Sequence, residues 1–200
     1  MTDMYVGDDE TLARPRPRLR LLGWGRELLG TAAFLIAVFT LLQLALPRSV
    51  VHGTSMEPSF SEGQRLVISR LNYLFGDPQR GDIVVFNSPN PLRDNEPSLI
   101  KRVIGMPGDT IEFIDQQLYV NNVLLDEPYI NEPCAARDCE DELWELGPDE
   151  YFVMGDNRNV SRDSRAFGPV PGENIIGEAL LRFWPIPAID VVDHYRFPME

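Results

Sequence analysis

The stretch LIKRVIGMPGDTIEFI, residues 99–114, holds two apolar, β-branched runs separated by Met106-Pro107-Gly108-Asp109. Runs of this kind, punctuated by Pro and Gly, form strands, so strands are expected at 99–104 and 110–114. Downstream, Leu118-Tyr119-Val120 makes a hairpin with 110–114 around Asp115-Gln116-Gln117. Asn121 and Asn122 tolerate positive φ and turn the chain again into Val123-Leu124-Leu125. Upstream, 65–69 and 82–86 are two further strand runs, with Gly76-Asp77-Pro78 and Arg80-Gly81 between them. Residues 126–149 are acidic and loop-rich, 151–154 return to strand, 155–168 form a long polar loop, and 178–184 give a last strand. No repeat at a period of 20–50 residues is present. The expected fold is mainly β, an antiparallel barrel-like or sandwich-like core built from 48–110 and 150–200, with 111–149 inserted as a hairpin and acidic loop.

Before this domain stands LLGTAAFLIAVFTLLQLAL, residues 28–46, nineteen residues without a charge. As a helix it reaches about 28 Å, close to the hydrocarbon thickness of a bilayer. It is longer than the apolar core of a cleaved leader and lacks a small-x-small site before Pro47. A transmembrane helix is therefore expected at 28–47. Arg14, Arg16, Arg18, Arg20 and Arg26 precede it, which places 1–27 in the cytoplasm as a disordered tail and the domain after residue 48 outside the cell.

The chain carries a formal net charge of −13, and the whole deficit falls after residue 47. An acidic domain without a basic stripe argues against a nucleic-acid partner. No glycine-rich phosphate loop and no His/Cys/Asp cluster at ligand spacing is present, so neither metal nor organic cofactor is expected. Cys134 and Cys139 are not a CxxC pair. In an extracytoplasmic loop they either form a local disulfide or remain free thiols.

Ser55 stands in Gly53-Thr54-Ser55-Met56-Glu57-Pro58-Ser59, a turn-forming segment just beyond the apolar helix. A serine in a turn is ordinary by itself. Lys101 adds weight, because it is the only lysine in a chain whose other seventeen basic residues are all Arg. Strand alternation puts it on one face with Leu99 and Val103, where it either loses hydration or snorkels to water. A desolvated amine has a lowered pKa and serves as a base near neutrality, which a guanidinium cannot do. Serine with lysine is an established nucleophile-base combination. A Ser-His-Asp triad would need His52 or His194, both expected at the surface in settings without distinction. The polar loop offers Asp156, Arg158, Asp163 and Arg165 as ion-pairing groups that stiffen it, and Ser161 as a hydrogen-bond donor to the lysine amine. Tyr73, Leu74 and Phe75 are apolar enough to dip into a membrane interface.

Four segments in order resemble the boxes of type I signal peptidases: Ser55-Met56-Glu57-Pro58-Ser59, Arg80-Gly81-Asp82-Ile83-Val84-Val85-Phe86, residues 101–109, and Gly155-Asp156-Asn157-Arg158 with Ser161, Asp163, Ser164 and Arg165. The resemblance covers nearly all of 28–184. It implies a membrane-bound serine endopeptidase with Ser55 as nucleophile and Lys101 as base. It further implies that Ser161 orients Lys101 while Asp163 and Arg165 support the loop. Its substrates would be signal-peptide-bearing preproteins at the bilayer surface, cut after small-x-small sites, and the expected state is a monomer. Gly53 has no side chain to serve an oxyanion, which leaves backbone amides, Ser55 N–H foremost. Two other readings fit parts of the sequence: a Ser-Lys processing peptidase of a conjugation or pilus system, and a membrane-anchored binding protein without activity.

Overall fold

The computed structural model describes residues 18–94 and 97–198, so most of the expected tail lies outside the described residues. Two compact units, Met1–Leu42 and Gln43–Glu200, make up the chain. Helix α1 (Arg18–Ala45) accounts for the first. Among the described residues it is already helical at Arg18, well before residue 28, and it stops short of Pro47, because proline disfavours helix in the residue before it. Within it, Trp24–Ala45 is 22 residues long with a mean hydropathy of 2.2 and no buried share, long and apolar enough to cross a membrane.

The second unit is antiparallel β throughout. Its elements in chain order are β1 (Arg48–Val50), β2 (Arg65–Ser69), the one-turn helix α2 (Asn72–Phe75), β3 (Ile83–Phe86), β4 (Leu99–Gly105), β5 (Thr110–Ile114), β6 (Gln117–Val120), β7 (Val123–Leu124), β8 (Leu143–Glu145), β9 (Glu150–Met154), α3 (Ser164–Phe167), β10 (Val170–Pro171), β11 (Ile175–Trp184) and β12 (Asp190–Val191). Eight strands form one curled sheet in the order β1-β2-β11-β3-β4-β9-β10, with β12 on β11. The sheet is open, ending at β1 and β10, so the architecture is a half-barrel rather than a closed one.

Strand β3 shows why the sheet is double-faced. Ile83 and Val85 join Met56, Phe60, Leu66 and Ile68 in one apolar cluster, while Val84 and Phe86 join Val103, Tyr151 and Val153 in another. Alternate residues of one strand therefore serve two cores, and the run has no polar face. Strand β4 lies inside the sheet between β3 and β9, with Lys101 opposite Val84 and Arg102 opposite Met154.

Residues 110–145 form a second sheet in the order β7-β6-β5-β8. Both of its tight turns use positive φ, at Asp115 and Gln116 and at Asn121 and Asn122. Strand β8 falls in the stretch expected to be loop. It pairs with β5 and sets Trp144 against Phe113 and Phe152, with ring centroids 6.2 Å and 4.9 Å away. Three residues flanked by acids were too short to show an alternating pattern. Cys134 and Cys139 are disulfide-bonded and buried in this same cluster.

Past β12 the chain crosses the start of β3. A Cβ on Gly81, whose φ is +93°, would stand 1.7 Å from Tyr195 O, so only glycine fits beneath the crossing. Phe152 is fully buried where the two sheets share a core. Phe152→Ala is expected to cost about 3–5 kcal/mol of stability, read from denaturant unfolding of the detergent-solubilised chain.

Candidate active site

Ser55 lies in a run of turns between Val51 and Phe60, two side chains buried in the apolar cluster beside β2. Glu57 N–H donates to Thr54 O at 3.1 Å and Phe60 N–H to Met56 O at 2.8 Å, which curls the segment so that Ser55 is presented from its inner side. Its partner comes from the sheet. Lys101 Nζ lies 2.6 Å from Ser55 Oγ and donates to Ile100 O at 2.8 Å. Lys101 is only 3% exposed, because an interior strand gives the amine no route to water; it does not snorkel. Ser55 N–H makes no hydrogen bond among the described residues.

The polar loop after β9 closes the site from the other side. Asn157 N–H donates to Ser55 O at 3.1 Å, and Asn157 Nδ2 donates to Thr54 O at 3.2 Å. Gly155 passes close to the same segment. A Cβ there would stand 2.4 Å from Ser55 O and 2.3 Å from Ser161 Oγ. Asp156 does not pair within the loop. It takes two hydrogen bonds from Arg102 on β4, at 2.9 and 2.7 Å, and one from Ser59 at 2.5 Å. Arg158 likewise reaches outside the loop, to both oxygens of Glu127, while its Nε donates to Gly155 O at 3.0 Å. Arg165 does pair locally, gripping both oxygens of Asp163 at 2.8 Å. Its remaining nitrogen donates to Asp138 O at 2.9 Å and sits 3.3 Å from each sulfur of the disulfide. Asp163 caps α3 and accepts from Gly155 N–H at 3.0 Å. Ser161 Oγ is near enough to Asp163 to help hold its carboxyl low but makes no hydrogen bond, to Lys101 or to any other described group.

Among the other singled-out residues, His52 is exposed on the rim of the cleft that holds Ser55 and Lys101. His194 is not a surface residue. Its Nδ1 accepts from Ile83 N–H at 3.2 Å and its Nε2 faces Glu178 at 3.2 Å, with Asp82 close by. These three side chains are the kind that bind a cation. However, an Nδ1 that accepts leaves the proton on Nε2, and neither nitrogen is then free to be a ligand. Tyr73 turns inward and donates to Asp82, whereas Leu74 and Phe75 are exposed. Sequence reasoning quoted Ser59 and Arg102 within the boxes without giving either a role, and it passed over Glu127 and Tyr129, which nothing local marked.

Burial is the largest influence on Lys101 and lowers its pKa to about 8, against the opposing pull of Asp163 and Asp156. Asp163 stays ionised below the usual carboxylate range: burial raises it, but Arg165 and Gly155 N–H outweigh that. A hydroxyl touching an amine that sheds its proton near neutrality is a site equipped to move a proton from and back to an alcohol.

Residues 23–184 match the family described as signal peptidase, peptidase S26. The chain is 35% identical over 199 residues to a probable signal peptidase I-2 of Synechocystis, spanning 96% of this chain and 86% of that one. It is 32% identical over 180 residues to signal peptidase IB of Staphylococcus aureus, spanning 82% of this chain and 90% of that one. A crystal structure of a signal peptidase I from Enterococcus faecalis is 36% identical and covers 52% of this chain and 97% of its own, with a TM-score of 0.44. This chain belongs to the signal peptidase family, peptidase S26, and is a peptidase.

Burying Lys101 has a stability cost whose sign is fixed by the direction of its shift. With a folded pKa near 8 and an ordinary value of 10.5, both states hold the proton below pH 8, and the fold carries a penalty of about 3 kcal/mol. The penalty shrinks as pH rises from 8 to 10.5 and is absent above. Lys101→Met is therefore expected to unfold at a higher temperature than wild type at pH 7, with the advantage fading toward pH 10.5 in thermal scans.

Proposed function

We propose that this chain is a membrane-anchored serine endopeptidase that removes signal peptides from exported preproteins, with Ser55 as nucleophile and Lys101 as general base. The 2.6 Å approach of Lys101 Nζ to Ser55 Oγ carries this reading. The neutral amine takes the hydroxyl proton as Oγ attacks the scissile carbonyl, and the resulting ammonium gives that proton to the leaving amine. Water then attacks the acyl-enzyme, again through Lys101. The oxyanion falls to Ser55 N–H, the unengaged backbone donor beside the nucleophile, since Gly53 offers no side chain. Asp156, Arg158, Asp163 and Arg165 hold the loop that seats Ser55, and Ser161, buried without a hydrogen bond beside Gly155, is the hydroxyl we assign to orienting the amine.

The cleft containing Ser55 and Lys101 measures about 60 Å³, which suits a small side chain before the cut and supports small-x-small cleavage. Strand β1, the open end of the large sheet, contributes Ser49 and Val50 to the same cleft, so an extended peptide can add along that edge. Arginines before the apolar stretch at 28–46 support a cytoplasmic N-terminus and an extracytoplasmic β domain, and the Cys134–Cys139 disulfide suits that compartment. Leu74 and Phe75, 69% and 91% exposed, suit contact with lipid.

Purified chain in detergent is expected to cut a preprotein after a small-x-small site, as is His52→Ala, while Ser55→Ala and Lys101→Arg are inactive. kcat/KM should rise with pH to a half-maximum near 8, where Lys101 sheds its proton. Full activity in Lys101→Arg would overturn the assignment of the base. Gly155→Ala should lower kcat by about a hundredfold or more, because the added methyl displaces the nucleophile segment.

A further inference from the structure

We propose that Tyr129, clamped by Tyr195 and Phe197 from the segment after β12, is a positioning residue for the reaction, holding Arg102 against the loop that seats Ser55 and Arg158 in place within it. The inference rests on the Ser55-Lys101 reading and extends it to residues that no motif marks. Tyr129 lies between the two arginines. Arg102 Cζ stands 4.1 Å above its ring, and Arg158 Nη2 donates to its hydroxyl at 3.3 Å. The hydroxyl in turn donates to Glu127 at 2.7 Å, the same carboxylate that Arg158 grips. Each arginine then binds the loop: Arg102 through the Asp156 carboxylate and Arg158 through Gly155 O. The edges of the Arg102 guanidinium are fixed by Asp156, Gly81 O and Ser59, and the Tyr129 ring covers a face.

The ring is held in its turn. Tyr195 and Phe197 stand edge to face at 4.8 Å and pack on Tyr129 at 5.6 Å and 5.9 Å. The segment carrying them is fastened at three points: His194 to Ile83 N–H, Arg196 to Asp82 at 2.8 Å, and Tyr195 O against bare Gly81. Tyr129, Tyr195 and Arg102 all line a cavity of about 320 Å³, so shortening a ring enlarges an existing space and need not collapse the core.

The groups facing Lys101 set the readout. Ser55 touches it, and Asp156, Asp163 and Arg165 act on it through charge. If Arg102 swings away, Asp156 is left uncompensated and water enters the loop, and both changes favour the ammonium. The chain has one lysine, so protein labelled with lysine carrying ¹³C at Cε only gives a single side-chain resonance whose titration reports Lys101 alone. The test compares that titration, and preprotein cleavage, in wild type, Tyr129→Leu, Tyr129→Phe and Phe197→Ala as full chains in detergent. In Tyr129→Leu the Lys101 titration should move upward by about half a pH unit or more, and kcat should fall by roughly tenfold to a hundredfold with KM changed less than about twofold. Phe197→Ala should shift both in the same direction, and Tyr129→Phe, which keeps the ring, should stay near wild type. A Tyr129→Leu chain that melts earlier yet titrates and cleaves like wild type when folded would overturn the proposal, as would a change confined to KM. Should wild type titrate near pH 8 but cleave nothing, the peptidase reading of the site fails, while the shift in Tyr129→Leu still decides whether Tyr129 acts on Lys101.

Discussion

Everything at this site hangs on the ion pair between Arg102 and Asp156. Both side chains are out of water, at 2% and 0% exposure, and a buried charge stripped of its partner costs about 3–5 kcal/mol. That pair joins a strand of the sheet to a loop that would otherwise be solvated. The connections then close on themselves: Arg102 neighbours Lys101 on β4, Lys101 meets Ser55, Ser55 O accepts from Asn157, and Asn157 follows Asp156. Successive residues of a strand point to opposite faces, so β4 delivers the Lys101 amine to one side and the Arg102 guanidinium to the other.

The division between the two cation types follows from their chemistry. At Arg102, Arg158 and Arg165 the charge never varies, and each planar guanidinium binds a carboxylate through two nitrogens. At position 101 a charge that changes near neutrality stands instead. Amine, desolvated by an interior strand, supplies that, and its neighbours Asp156 and Asp163 limit how far the pKa falls. The same burial that lowers the amine's pKa weakens the fold.

Much of this was legible in the sequence, and the limits are physical. Strands β2 to β6, β9 and β11 stand out because apolar runs between Pro, Gly and Asn turns have few other fates. Strands β1, β8, β10 and β12, of two or three residues, exist because a neighbour pairs with them, and no local pattern records that. At the site, box-like spacing and the solitary lysine pointed to Ser55 and Lys101, which the fold brings into contact. The partners of Asp156 and Arg158 were out of reach, since they lie 54 and 31 positions away and are chosen by sheet register and by the insertion. His194 looked like a surface residue for the same reason: its burial comes from β3 and β11, far upstream.

The crossing of residues 194–197 over the start of β3 has a bearing on the order in which the molecule is made. Ribosomes deliver Ser55 and Lys101 before Tyr129, and the rings that cover Tyr129 later still. A growing chain thus contains both residues before the segment that packs on Tyr129 has been made. The packing around Tyr129 is completed only after the segments that carry Ser55 and Lys101 have been synthesised, an ordering set by the sequence of its parts.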